Sequence, residues 1–90
     1  MVIARRFVIS GRVQGVGFRY FVQDHAQLEG VNGYVRNMED GRVEAVIEGD
    51  TEAVERLERA LWRGPAGARV ESVVAEPATP IGRAIGFSIR

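Results

Sequence analysis

The 90 residues suit one compact domain spanning 1–90, and a hydrophobic fraction of 46% argues against disorder. With no cysteine and a single histidine, His25, disulfide scaffolds, thiolate catalysis and Cys- or His-built metal centres are excluded. A formal net charge of zero, with 12 arginines and no lysine spread along the chain, leaves nucleic-acid binding without global electrostatic support, and no apolar run approaches the roughly 20 residues of a membrane span.

Met1 leads directly into strand-like sequence with no signal-peptide pattern, so a soluble, cytoplasmic protein is expected. Arg5 to Val13 is the first strand candidate, with Phe7 and Ile9 on one face and Arg6, Ser10 and Arg12 on the other. The glycine-rich stretch Gln14-Gly15-Val16-Gly17 follows. Phe18 to Glu29 reads as a helix: Phe18, Phe21, Val22, His25 or Ala26, and Leu28 form a rough helical stripe, and Gly30 is its C-terminal cap. Val31 to Met38 and Arg42 to Glu48 are strand candidates joined through Glu39-Asp40-Gly41, because Asp-Gly supplies the positive φ of a tight hairpin. In the second of them Val43, Ala45 and Ile47 alternate with Arg42, Glu44 and Glu48, which predicts one buried face and one wetter face.

Gly49-Asp50-Thr51 opens a second helix, with Asp50 or Thr51 as N-cap and Glu52 at the positive end of the dipole. Ala53, Val54, Leu57, Ala60 and Leu61 form its apolar stripe, Trp62 reads as core or core edge, and Gly64-Pro65 stops the helix. Arg69 to Glu76 is a further strand, Pro77 and Pro80 mark a loop, and Ile85 to Ile89 is a short closing strand. The order is β-α-β-β-α-β with a small extra C-terminal strand. That is the α+β, ferredoxin-like sandwich, with two helices on one face of an antiparallel sheet. Such an order says nothing by itself about function.

The chemistry-bearing segment is Ser10-Gly11-Arg12-Val13-Gln14-Gly15-Val16-Gly17-Phe18-Arg19. A strand runs into a glycine-rich loop, and the loop into a helix start. Backbone N–H groups can therefore surround an anion, and the helix N-terminus adds unpaired donors and a partial positive charge. Arg19 sits in the first helical turn, where a cation is unfavourable to the dipole. A bound phosphate would account for it through bidentate, charge-assisted hydrogen bonds. The alternative is a plain turn followed by a solvated surface arginine. A Walker loop is excluded because there is no lysine, and the dinucleotide fingerprint because Tyr20 stands where a third glycine is required.

Asn37 lies near the end of a strand, just before the turn. Its side chain either helps to start that turn or holds a water molecule with a neutral amide. His25 reads as structural, because a lone histidine has no metal partners. Tyr20 and Tyr34 either stack on a ligand or pack against the protein.

Gly11-Arg12-Val13-Gln14-Gly15-Val16-Gly17-Phe18-Arg19 resembles the phosphate-loop motif of the acylphosphatase family at each defining position. Gly33-Tyr34-Val35-Arg36-Asn37, followed by Gly41, Val43 and Gly49, resembles the second motif of that family, spacing included. Gly49-Asp50, Gly64-Pro65 and Gly86-Phe87-Ser88-Ile89 are similar to the family as well, whereas Pro77 to Ala84 matches least well. The resemblance implies the ferredoxin-like fold. It implies a phosphoryl group seated in the loop Gln14, Gly15, Val16, Gly17 and Phe18, held by backbone N–H groups and the Arg19 guanidinium. It implies that Asn37 orients the attacking water, and that neither cofactor nor metal is required. The implied substrate is a small-molecule acyl phosphate, hydrolysed to a carboxylate and inorganic phosphate. Zero net charge and the lack of a long apolar run point to no nucleic-acid and no membrane partner, and a monomer is expected.

So short a list of groups is chemically sufficient. The leaving carboxylate has a conjugate-acid pKa of about 4, so it needs no general acid. In a loose, metaphosphate-like transition state the water is not strongly deprotonated early, so a strong base is dispensable too. Positioning and charge stabilisation remain. A phosphate monoester, with its poor alkoxide leaving group, is expected to be a bad substrate. Two other readings carry different demands. An anion-binding module would keep the loop and Arg19 but have no use for Asn37. An RNA-recognition sheet would need exposed aromatics and a basic face, against which stand four Phe and two Tyr at mostly buried-looking positions and zero net charge.

Overall fold

In the computed structural model, which describes residues 1–82 and 86–90, the chain runs β1 (Val2–Arg12), α1 (Phe18–Glu29), β2 (Asn32–Asn37), β3 (Val43–Asp50), α2 (Thr51–Arg63), β4 (Arg69–Ala78) and β5 (Phe87–Ile89). The strands form one sheet in the order β4-β1-β3-β2-β5. Phe7 and Ile9 of β1, Val35 of β2, and Val43, Ala45 and Ile47 of β3 are fully buried and meet the helices in one core. From α1 that core takes Phe18, Val22 and Ala26, spaced one turn apart, and from α2 Ala53, Val54, Leu57, Ala60 and Leu61. This is the ferredoxin-like sandwich expected from the element order.

The differences from expectation have physical causes. β1 begins at Val2 and β3 continues to Asp50, because Val2 pairs with Asp50 and Ile3 with Gly49 across the ladder. Asp50 is the N-cap of α2, yet its carboxylate makes no capping hydrogen bond and instead lies 3.9 Å from the amino group of Met1. Leu28 is 82% exposed and Trp62 48%, so neither joins the core; each lies off the line of buried residues on its helix. Pro77 is inside β4 rather than in a loop, opposite Arg5. β4 is a sheet edge, where a missing N–H costs no ladder bond. β5 pairs with β2 in parallel, so the sheet is mixed rather than wholly antiparallel. Of the expected closing strand Ile85–Ile89, Ile85 lies outside the described residues.

The open face of the sheet is drier than the alternation in β3 suggests. Glu44 and Glu48 are both buried there. Glu44 accepts hydrogen bonds of 2.5 Å from Nε of Arg6 and 2.5 Å from Nε of Arg36, and Arg6 also pairs with Glu76. Glu48 accepts from the backbone N–H groups of Ile81 (2.7 Å) and Gly82 (2.9 Å). Both buried carboxylates are therefore partnered, as burial of charge requires.

Candidate active site

The path from β1 into α1 is set by two glycines. A bulge separates Ser10 from Gly11 in the pairing of β1 with β4, and a Cβ at Gly11 would lie 2.1 Å from the Arg69 carbonyl oxygen. Only glycine allows the two backbones to approach so closely. Val13 is then buried, which pins the loop to the core. At the far end Gly17, with φ 77°, is the N-cap of α1 in the left-handed region. A helix leaves its first N–H groups without intrahelical partners. Here no side chain caps them and no acidic residue occupies the first turn. Those donors, with the positive end of the helix dipole behind them, remain open to an anion.

A cavity of about 100 Å³ lies against this helix start, lined by Val13, Gly15, Gly17, Phe18, Arg19, Tyr20 and Asn37. Asn37 reaches it through strand alternation. Val35 and Asn37 share the helix side of β2, Val35 entering the core and Asn37 standing at the strand end. Arg36, between them, points to the open face and pairs with Glu44. Of the residues singled out in the sequence, Gly15, Gly17, Phe18, Arg19 and Asn37 are thus brought together around one space. The Phe18 ring is only 2% exposed and serves the core. Val16 packs against the core, and the Gln14 side chain turns away to the β2–β3 hairpin, where its amide donates to the carbonyls of Met38 (2.8 Å) and Arg42 (3.0 Å).

Among the described residues, Arg19 belongs to the arginines that no carboxylate holds. Arg5, Arg6, Arg36, Arg42 and Arg56 each pair with a carboxylate. Arg19 has no Asp or Glu partner among the described residues; its Nη1 donates to the main-chain oxygen of Arg90 at 3.3 Å. Arg90 is itself fixed, with its N–H on the Val35 carbonyl (2.8 Å) and its guanidinium 3.8 Å above the Tyr34 ring. Tyr34 therefore packs on Arg90, while Tyr20, 66% exposed, stands at the cavity wall. The support from Arg90 had no signal in the sequence, since 71 residues separate it from Arg19. On the hairpin, hydrogen bonds from the Arg42 side chain and backbone hold the Asp40 carboxyl below the usual carboxylate range.

His25 lies elsewhere on α1, its ring centroid 4.5 Å from that of Phe21, as a packed side chain would. Among the described residues no group of three or more His, Asp or Glu is placed to hold a metal ion. Larger hollows exist, of about 510 Å³ beside β1 and β4 and about 300 Å³ on the open sheet face. Neither contains the helix start or its row of open N–H donors.

The acylphosphatase family model matches residues 5–89. The chain is 51% identical to the acylphosphatase of Roseiflexus sp. strain RS-1 over 90 residues, covering 99% of this chain and 97% of that one. It is 53% identical to the acylphosphatase of Nitrosococcus oceani over 76 residues, covering 84% and 85%. Its structure is similar to the crystal structure of acylphosphatase from Bacillus subtilis, with a TM-score of 0.94, 37% identity, and coverage of 100% and 99%. With a family match over nearly its whole length, the chain belongs to the acylphosphatase family, hydrolases that act on acid anhydrides.

Proposed function

We propose that the phosphoryl group of an acyl phosphate sits in the cavity at the start of α1, held by backbone N–H groups of Gln14 to Phe18 and by the Arg19 guanidinium, and that the Asn37 amide orients the attacking water. The observation that carries this reading is one small cavity lined by Gly15, Gly17, Arg19 and Asn37 together. Its volume suits a phosphoryl group with a water beside it, not a nucleotide. The water oxygen forms a bond to phosphorus as the bond from phosphorus to the acyl oxygen breaks. The carboxylate leaves with the electron pair, and the water's protons pass to the phosphate product and solvent. Negative charge on the equatorial oxygens meets donors already in place, so little reorganisation is needed during reaction. The carboxylate leaving group asks for no acid, and among the described residues no His, Asp or Glu lines the cavity. The reading includes a cytoplasmic monomer that works without metal or cofactor.

Hydrolysis of benzoyl phosphate in EDTA, with phenyl phosphate as the comparison substrate, tests this reading. Rapid turnover of the anhydride and almost none of the monoester is expected. Phosphate binding without turnover of benzoyl phosphate would overturn it and leave an anion-binding module.

A further inference from the structure

We infer that Gln14 is a positioning residue, whose side chain sets the place of Asn37 against the phosphate loop; this rests on the role proposed above for Asn37. The sheet order separates the two halves of the site. β1, which feeds the loop, and β2, which ends in Asn37, are not neighbours, because β3 lies between them. No ladder hydrogen bond therefore links the loop directly to the Asn37 strand. Gln14 spans that gap. Its Nε2 donates to the carbonyl oxygens of Met38 at 2.8 Å and Arg42 at 3.0 Å, which uses both N–H groups of the amide.

Those two carbonyls close the base of the hairpin. Met38 N donates to the Arg42 oxygen at 2.8 Å, and Gly41 N to the Met38 oxygen at 3.2 Å. Gln14 thus grips the carbonyl of Met38, the residue that follows Asn37, while its own backbone leads into Gly15 on the cavity wall. The Gln14 side chain does not line the cavity, so its loss leaves the phosphate donors in place and moves the water-holding amide. Displacement of a catalytic group by about 1 Å can cost on the order of a hundredfold in rate. Glutamate at this position would set carboxylate oxygens against two carbonyl oxygens. Methionine would keep the length and supply no donor.

The test compares Gln14→Met, Gln14→Glu, Asn37→Ala and the Gln14→Met/Asn37→Ala double variant, reading kcat on benzoyl phosphate and the inhibition constant of inorganic phosphate. A fall in kcat of about ten- to a hundredfold is expected for both Gln14 variants, with the phosphate constant within about twofold of wild type. In the Asn37→Ala background Gln14→Met should lower kcat by less than about twofold, since nothing remains to be positioned. If Gln14→Met does not fold, Gln14→Asn, which keeps the donors but falls one methylene short, is read the same way. Wild-type kcat in a folded Gln14 variant, an additive double variant, or phosphate affinity lost in step with kcat would overturn the inference. Failure of the Asn37 role is separable: Asn37→Ala alone would then keep near-normal turnover.

Discussion

Arg19 in the first turn of α1 and Asn37 at the last position of β2 line the same cavity of about 100 Å³. Arg19 arrives with the uncapped helix start, while Asn37 arrives by strand alternation from the buried Val35. A permanent cation and a neutral amide thereby stand beside one row of N–H donors. Arginine and asparagine side chains as a class offer no acid–base step around neutral pH.

In the proposed site, replacement of Arg19 would remove a charge-assisted, bidentate partner of the phosphoryl group. Arg19→Ala should lower kcat/KM on benzoyl phosphate by at least about a hundredfold and raise KM as well. Arg19→Lys should recover no more than about tenfold, because a point charge does not reproduce the planar fork. Full activity in Arg19→Lys would show that charge alone suffices. Steady-state kinetics on the three proteins checks this.

The pH dependence follows from the same pair. Activity should be nearly flat around neutrality, apart from ionisation of the substrate. His25 packs on Phe21 outside the cavity, so His25→Gln should change kcat by less than about twofold. A bell centred near pH 6.5 that His25→Gln abolishes would contradict this.

Glu44 makes stability, rather than activity, sensitive to acid. Burial alone would push its carboxyl up, but hydrogen bonds from Arg6 and Arg36 outweigh that and hold it below the usual value. A carboxyl depressed on folding contributes fully above its unfolded pKa of about 4.3, and the contribution is lost as pH falls through the lower folded value. Glu44→Gln should therefore cost about 1.5–3 kcal/mol at neutral pH, with the gap from wild type closing in acid below the ordinary carboxylate range. Denaturant unfolding at several pH values reads it; a gap that stays constant into acid would show that the ion pairs contribute nothing.

Two glycines beside the site should respond differently to alanine. At Gly17 an added Cβ meets nothing within 4 Å, so only the positive φ is strained and the cost should be about 1–2 kcal/mol. At Gly11 the Cβ would fall 2.1 Å from a main-chain oxygen, so the bulge must break. Thermal melts should rank Gly11→Ala well below Gly17→Ala, and equal melting would show that the bulge yields freely.

What was legible in the sequence follows from how local each feature is. α1 is bounded by two glycines and carries its apolar residues one turn apart, so Phe18–Glu29 can be read from neighbours alone. The α2 stripe is legible for the same reason. The candidate site rested on two contiguous motifs, which strand and helix periodicity place on defined elements. Features that depend on distant partners were hidden. Nothing near Pro77 says that β4 is an edge, nothing near Phe87 says that β5 pairs in parallel, and nothing near Glu44 announces that Arg6 and Arg36 will cover it. The Gln14 side chain belongs to this class, since its partners lie 24 and 28 residues away.

The most direct test of the central claim measures, in EDTA, the kcat of Asn37→Ala on benzoyl phosphate together with its inhibition by inorganic phosphate. The account predicts turnover reduced by about a hundredfold or more, with phosphate affinity within about twofold of wild type, because the water is lost and the cradle stays. Near-normal turnover, or phosphate affinity that collapses along with it, would contradict the division of labour between Asn37 and Arg19.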